Sequence, residues 1–384
     1  MQKTSWGLVV GLWGAGLGAA AQYGKFSVTF DRLPQIYPDA GTALGLVVSL
    51  VGLTGIFLGV AAGLLVARFR YRRALLWALW VGAALSLFQA TLPPMPWLLA
   101  SRALEGLSHL AIVVATPTLI AQLCAPRDLG LALTLWGTFF GVAFALLAWV
   151  GLPLADRFGL PALLIAHAFY LALFAVVLAR PLGAVQTPRG PALSLRHLIQ
   201  QHLEIYRSPS ILAPAAGWLF YTFCFVSVLT LLPPYLDPGQ RALVMGAMPL
   251  LSILSSMTLG VWLLRLISPV QVVQFGLVAS ALTMLWLLAS PGNAAACLVL
   301  AGTMGLIQGA SFAAVPQLNS ASAQRAQANG AMAQTGNIGN TLGTPVLVLV
   351  LAASGYSGLP ITLALAFFSG FCVHLWLAKR RKAR

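Results

Sequence analysis

Residues 97–122 read WLLASRALEGLSHLAIVVATPTLIAQ, a long apolar run that contains an arginine, a glutamate and a histidine. Its length fits the roughly 20 residues with which an α-helix crosses the hydrocarbon core of a bilayer. Arg102, Glu105 and His109 are spaced i, i+3 and i+7, so a helix places them along one stripe. Ionisable side chains at membrane depth are costly and face a bundle interior or a water-filled cavity. The run therefore predicts a membrane-spanning helix with a functional stripe.

The composition of the whole chain supports this interpretation. Of the 384 residues, 59% are hydrophobic and only 8% are charged, and the mean hydropathy is +0.89. A soluble domain carries about 25% charged residues. Because no segment alternates like a membrane barrel strand, helices are the remaining way to satisfy the backbone in lipid. The four cysteines have no CxxC spacing, so the sequence predicts neither a metal site nor a disulfide framework.

Apolar runs bounded by charged residues, proline and glycine predict twelve membrane spans, which makes the fold class all-α membrane protein. The first six lie near 6–30, 42–66, 74–92, 97–122, 129–152 and 160–179. The second six lie near 211–235, 241–264, 270–289, 294–318, 327–352 and 358–378.

One long polar connection divides the spans into two groups of six. The predicted domains are an N-terminal bundle over 1–180, a linker over 181–209 and a C-terminal bundle over 210–384. We expect a short helix in the linker that lies on the membrane surface. Its apolar face would consist of Leu195, Leu198, Ile199, His202 and Tyr206.

The basic residues predict the orientation in the membrane. Most of the 22 lysines and arginines fall in connections that share one side when both termini are cytoplasmic, and cytoplasmic loops carry excess Lys and Arg. The net charge of +15 therefore indicates membrane topology and not a nucleic-acid partner. We expect a monomer in the cell (inner) membrane. Residues 154–159, LADRFG, are expected to form a tight turn on the outer side, and the alternative is that the span count differs at this point.

The two groups of six echo one another. Glycine and proline recur at a constant offset between the fourth and tenth predicted spans, and such duplication is common in transporters. The matching residues are Gly106, Leu107, His109, Pro117 and Leu119 in the first group and Gly305, Leu306, Gln308, Pro316 and Leu318 in the second.

With twelve spans in two groups, the chain resembles the major facilitator superfamily. That family's fourth-span pattern, an arginine with a glycine four residues later, matches Arg102 and Gly106. The loop pattern G-x-L-x-D-R-x-G-R-R between spans two and three matches in part at 63–73, GLLVARFRYRR. Gly63 and Arg68 are present, and the resemblance implies a gating role for them, but Ala67 stands in place of Asp and Arg70 in place of Gly.

A second comparison concerns the first span. Multidrug antiporters of the superfamily carry D-x-x-x-x-N-x-A-L-P there, and its end is similar to LPQI at 33–36. Aligned on Pro34, the acidic position of the pattern falls on Lys25. The superfamily's first, fourth, seventh and tenth spans line a central cavity. The resemblance therefore implies that Lys25 and the Arg102 stripe face the cavity together.

These residues predict a proton-coupled site for an anion. Glu105 and His109 are the candidates for proton coupling, because a histidine and a buried carboxyl can both titrate near neutral pH. Arg102 stays charged and can bind a carboxylate of Glu105 or of the substrate. Further substrate-binding candidates are Lys25 in the first bundle and Tyr221, Gln308 and Asn337 in the second. No cofactor and no metal is expected.

Structural alternatives stay open for each ionisable residue. Arg102 and Glu105 can be a self-compensating pair that only inserts as a neutral unit. His109 can be a neutral histidine that is hydrogen-bonded across helices. Lys25 can extend its amine toward the outer interface instead of the cavity.

The sequence thus predicts a secondary active transporter that imports a small organic anion together with protons by alternating access. An exporter of drugs or metabolites is the main alternative. A polytopic membrane enzyme is a remote one, because no H-x-x-x-x-D, G-x-S-G or H-E-x-x-H pattern occurs. We expect a small-molecule substrate, the proton and the lipid bilayer as partners.

Overall fold

The structure is a computed structural model that describes residues 3–184, 203 and 205–383. Within these residues the chain forms helices and no strand. The first half contains α1 Trp6–Ser27, α2 Leu33–Ile36, α3 Leu44–Ser49, α4 Leu53–Arg68, α5 Tyr71–Ala90, α6 Met95–Leu123, α7 Leu129–Gly137, α8 Phe139–Leu146, α9 Leu152–Phe158 and α10 Leu160–Ala179. The second half contains α11 Pro209–Leu231, α12 Pro238–Ser255, α13 Val261–Leu263, α14 Pro269–Ala289, α15 Ala294–Leu318 and α16 Ser322–Lys382. Except for Tyr206, the face of the predicted linker helix lies outside the described residues.

Ten helical segments of the described chain are long and apolar enough to cross a membrane. The 22-residue helix α1 is of similar length. These segments confirm the all-α membrane class, while the count of twelve spans and the domain boundaries stay predictions. One predicted end is wrong, because a π-helical turn at Leu147–Gly151 carries the fifth segment on through Phe158. Of LADRFG, only Gly159 makes the turn, with a φ of 84°.

Helix α16 reverses direction in its middle. Its 61 residues would extend roughly 90 Å as a straight helix, about three times the hydrocarbon thickness. The backbone breaks at Gly355, where φ is 64° and ψ is −160°. Arg381 near its end donates to the Pro209 carbonyl, while Tyr356 beside the break donates to the Leu287 carbonyl. The break falls between the two last predicted spans, so one hairpin accounts for both.

The helix ends gather on two faces of the molecule. We call the end with Ser5, Arg72, Leu123 and Ala179 the basic face, because Ser5 donates to the Leu123 carbonyl and Arg72 to the Ala179 carbonyl. The other end is the opposite face, where Tyr37 donates to the Pro93 carbonyl.

Two glycines support the internal echo. Gly106 on α6 lies against the carbonyl oxygen of Val51, and a Cβ there would sit 2.5 Å from it. Gly305 on α15 makes the same kind of contact with the backbone of Ser252. Each of these glycines lets the fourth predicted span of its half approach the second predicted span. In the first half α6 approaches the turn before α4, and in the second half α15 approaches α12. Small residues serve this purpose in membrane helix packing.

We expect Gly305→Ala to destabilise the protein by about 1–3 kcal/mol, because the added methyl group overlaps backbone that cannot rotate away. Gly130→Ala is the matched control, since Gly130 is helical and has nothing within 4 Å of a Cβ. The control should gain up to about 1 kcal/mol from helix propensity. Thermal denaturation in detergent measures both variants, and equal shifts would show that the Ser252 contact is not tight.

Candidate functional site

A cluster of charged and polar side chains is buried between helices of the first half. Lys25 on α1, Arg102 and Glu105 on α6 all have 0% of their surface exposed. Ser86 and Gln89 on α5 complete the cluster together with His167 on α10. We call these six residues the charge cluster. Arg102 and Glu105 of the α6 stripe are thus buried inside the first half, and the cluster contains two cations for a single carboxylate.

Glu105 is held from both sides. Its Oε1 accepts from the Lys25 amine at 2.7 Å, and its Oε2 accepts from the Arg102 guanidinium. Gln89 Nε2 donates to the same Oε2 at 2.9 Å. Charge-assisted bonds of this kind are about twice as strong as neutral ones. The carboxylate is thus stabilised in its charged form by three donors from three helices.

Arg102 is fully engaged by partners inside the protein. Its Nε donates to the Val47 carbonyl at 2.6 Å, and its Nη2 donates to the Gln22 carbonyl at 2.7 Å and to Val48 at 3.4 Å. Val47 and Val48 lie in the last turn of α3, just before the 3₁₀ turn Leu50–Gly52 that leads into α4. The predicted Arg102–Glu105 pair therefore exists, and Arg102 also ties α6 to α1 and α3.

Lys25 is buried and does not extend to the interface, so the alternative that placed its amine there is wrong. Its Nζ lies 3.1 Å from Ser86 Oγ and 3.4 Å from His167 Nδ1 in addition to Glu105. The ring of Phe26 lies 5.6 Å from the amine and 4.8 Å from the Arg102 guanidinium carbon. Both cations therefore lie within cation–π distance of the same ring, which is favourable for desolvated charge.

His167 is in the neutral form that these contacts require. Its Nε2 lies 3.0 Å from the Gly18 carbonyl, which can only accept, so the proton sits on Nε2. Nδ1 is then an acceptor for the Lys25 amine, and it lies 2.9 Å from Ser86 Oγ, whose hydroxyl also donates to the Leu164 carbonyl. A second proton on His167 would bring two positive charges to 3.4 Å of each other. His167 can therefore take a proton only when Lys25 moves or loses its own.

His109 lies apart from the Glu105 carboxylate. Its Nδ1 is 3.0 Å from the Ala19 carbonyl, and its ring meets Tyr23 edge-on with centroids 5.1 Å apart. This is the cross-helix hydrogen bond of the structural alternative. The structure therefore joins Glu105 to Lys25 and Arg102 and gives His109 a different neighbourhood.

A row of aromatic rings connects the two halves next to His109. Successive centroids are 5.9 Å apart from Tyr23 to Phe140, 6.1 Å from Phe140 to Phe225 and 5.3 Å from Phe225 to Tyr221. Trp218 stacks on Tyr221 at 4.9 Å. We call these five residues the aromatic bridge. It lines the contact between α1, α8 and α11 with rings that suit an apolar or aromatic group.

The candidates of the second half are only partly brought together. Tyr221 donates its hydroxyl to Gln308 Oε1 at 3.3 Å, so these two form one unit beside the aromatic bridge. Asn337 instead donates to the Ala333 carbonyl in its own helix and packs against Gly55. Arg68 ends α4 far along the chain from either group, and Gly63 lies within the same helix.

Contacts between the halves close the opposite face. Ser27 and Thr230 share a hydrogen bond of 2.7 Å, and Arg241 Nη1 lies 3.3 Å from Asp31 Oδ2. Arg32 also pairs with Asp156 in the first half. The two ion pairs line a small cavity of about 180 Å³.

Three cluster members were not among the predicted site residues. Ser86 and Gln89 stand three apart in an apolar span and thus share a face, which was an available signal. His167 is a single histidine in the sixth predicted span. His374 on α16 is 0% exposed and was not among the predicted site residues either.

The fold and the cluster define a multi-pass membrane protein whose helices surround ionised side chains. Residues 12–344 match the family model described as Major Facilitator Superfamily. The chain belongs to this superfamily and is a membrane transporter. No curated protein matches the chain.

Proposed function

We propose that the protein is a proton-coupled secondary active transporter that imports a small organic anion by alternating access. The basic face would lie in the cytoplasm and the protein would act as a monomer in the inner membrane. The observation that carries this proposal is the sharing of the single Glu105 carboxylate by Lys25 and Arg102, all three fully buried.

The charges of the cluster favour an anion when Glu105 is protonated. With Glu105 ionised, two cations face one anion, and the excess is one positive charge. A proton on Glu105 removes the counter-ion of both cations at once. Buried charge without a partner is strongly unfavourable, so the cluster then gains most from a new negative group. Proton and anion therefore strengthen each other's binding.

This mutual strengthening gives the direction of coupling. Linkage is reciprocal, so an anion that binds better to protonated Glu105 must also raise the protein's affinity for the proton. A carrier that prefers both ligands together moves them in the same direction. Glu105 would carry the proton, while Lys25 and Arg102 would exchange its carboxylate for the substrate's. His109, on the same helix as Glu105, would be the second proton-coupling group.

The second half would supply the neutral part of the substrate site. The Tyr221–Gln308 unit offers a hydroxyl and an amide beside the aromatic bridge. Asn337 would join them only after its helix moves, because its amide is bonded within α16. Polar groups of this kind set orientation in a largely apolar pocket.

A second candidate function is proton-driven export of aromatic or amphipathic compounds. The aromatic bridge favours it, since five rings at the contact between the halves offer stacking without any charge requirement. An exporter would exchange the proton for its cargo. The two functions therefore differ in the sign of the proton movement.

The test uses purified protein in liposomes that contain a pH-sensitive dye. The pH inside and outside is equal at the start. Each compound is then added to the outside, from a panel of small carboxylates, inorganic anions, sugars and lipophilic cations. We expect a carboxylate to acidify the lumen with wild-type protein. Alkalinisation by a lipophilic cation would instead support the exporter and overturn the import proposal.

A matched pair of variants assigns the proton. Glu105→Gln removes the buried carboxyl, and Asp39→Asn removes an exposed one on the opposite face. We expect Glu105→Gln to lose substrate-driven acidification while it still exchanges labelled substrate across the membrane. Asp39→Asn should behave as wild type. Unchanged acidification in Glu105→Gln would show that another group carries the proton.

A further inference from the structure

A deep apolar groove runs along the outside of the first half, close to the basic face. Its volume is about 800 Å³, and it lies between α4 and α5 with α6 at its base. Leu65 and Val66 form one wall, Ala74 and Trp77 the other, and Ala111 belongs to the base. No part of the charge cluster lines it.

The groove opens toward the bilayer. Trp77 is 71% exposed and Leu107, at the groove's base, is 50% exposed. In a membrane-spanning helix, large apolar side chains with that exposure face lipid tails. A lipid chain is therefore the molecule with direct access to this groove.

Three arginines stand at one end of the groove. Arg68, Arg70 and Arg73 all line it, and none of them forms a salt bridge with an acid in the described parts of the chain. Arg72, in contrast, bonds to the Ala179 carbonyl. Arginine binds phosphate through its planar fork of donors. The three side chains thus leave positive charge beside an apolar groove at the level of the lipid headgroups.

Arg70 occupies a backbone conformation that glycine would adopt without strain. Its φ is 65° and its ψ is 122°, in the left-handed half of the map where an L side chain is unfavourable. Glycine stands at this place in the loop pattern to which the sequence is similar. Strained residues persist where the side chain has a function. The arginine side chain, and not the backbone, accounts for the residue at this position.

We propose that the groove binds one anionic phospholipid from the leaflet at the basic face. The phosphate would lie on Arg68, Arg70 and Arg73, and an acyl chain would fill the space between α4 and α5. Basic pockets between membrane helices bind anionic headgroups in this way. The lipid would hold α4 and α5 together. These two helices are joined by the short connection that contains Arg70.

The test compares phosphatidylglycerol with phosphatidylcholine of the same acyl chains, bound to the full-length protein and counted by native mass spectrometry. We expect wild type to retain one phosphatidylglycerol in preference to phosphatidylcholine. Arg70→Gly is the decisive variant, because it removes the cation and relieves the backbone. Its affinity for phosphatidylglycerol should fall about fivefold, while its melting temperature in phosphatidylcholine should not decrease.

A triple variant and its control test charge against position. Changing the three groove arginines to glutamine should weaken phosphatidylglycerol binding by roughly a hundredfold. The control removes the same charge from exposed residues elsewhere, with Arg265→Gln, Lys379→Gln and Lys382→Gln, and should keep the lipid. Equal loss in both triple variants would overturn the site, because it would show attraction to net charge alone.

The groove itself is tested by Ala111→Trp, which fills the base and leaves the arginines intact. We expect this variant to lose the retained phosphatidylglycerol as well. Glycerol 1-phosphate, a soluble headgroup, should not compete with the lipid at equal concentration. Full competition, or full retention by Ala111→Trp, would mean that the arginines bind a free phosphate and that the groove does not hold an acyl chain.

Discussion

Replacing Glu105 by glutamine is expected to lower the free energy of unfolding by about 3–5 kcal/mol, the cost of leaving buried charge unpaired. The change is small in volume, so packing does not explain such a loss. What it removes is the negative partner of Lys25 and Arg102, both of which have 0% of their surface exposed. SDS titration of the purified protein in mixed micelles measures the effect.

The two stranded cations are not equivalent. Arg102 keeps its carbonyl acceptors on Val47 and Gln22, whereas Lys25 keeps only the Ser86 hydroxyl and the His167 ring. Lys25→Met combined with Glu105→Gln should therefore recover about half of the lost stability, because it removes the cation with the poorer set of acceptors. Asp39→Asn serves as the charge-matched control and should stay within about 0.5 kcal/mol of wild type. A double variant that is no more stable than Glu105→Gln would show that the Lys25 pair is not the main term.

The sequence predicted the inward stripe of α6 because its physical basis is local. An arginine and a glutamate three residues apart in a long apolar run must share a face, and that face must avoid lipid. The presence of each membrane-spanning helix was predicted in the same way, from the length of its apolar run. These inferences need no knowledge of which helices lie next to one another.

The partners of the stripe depend on packing between distant helices, which one sequence does not show. Glu105 contacts Lys25 on α1 and Gln89 on α5. Lys25 in turn contacts His167 on α10. The superfamily resemblance implied a cavity lined by spans one, four, seven and ten. It therefore gave no reason to select residues of spans three and six. A polar residue in any apolar span was the more general signal, and it would have selected Ser86, Gln89 and His167.

The fate of Lys25 shows where local reasoning ends. It lies in the last turn of α1, where a lysine can extend to an interface or turn inward with equal local geometry. A buried carboxylate on a neighbouring helix, with one oxygen that Arg102 does not occupy, decides between these outcomes. That carboxylate belongs to Glu105, 80 positions later in the chain.

Joining Ser27 to Thr230 by a disulfide is expected to stop transport. These residues belong to α1 and α11, and their hydroxyl oxygens are 2.7 Å apart, so cysteines at both positions lie close enough to bond. Alternating access requires the halves to separate at the opposite face once per cycle. A covalent bond at this contact holds that face closed. Substrate uptake by oxidised Ser27→Cys/Thr230→Cys protein in liposomes should therefore fall to that of protein-free liposomes.

The cross-link is distinguished from its side effects by reduction and by matched variants. Reduction should restore uptake, which separates the cross-link from the substitutions. The single variants Ser27→Cys and Thr230→Cys, oxidised in the same way, lack the second thiol of this contact and should leave uptake intact. Cys372, the exposed native cysteine, is replaced by serine throughout. Full uptake by the oxidised Ser27–Thr230 variant would mean that the halves do not part here, and the closed contacts at Asp31 and Arg241 would then be a fixed seam instead of a gate.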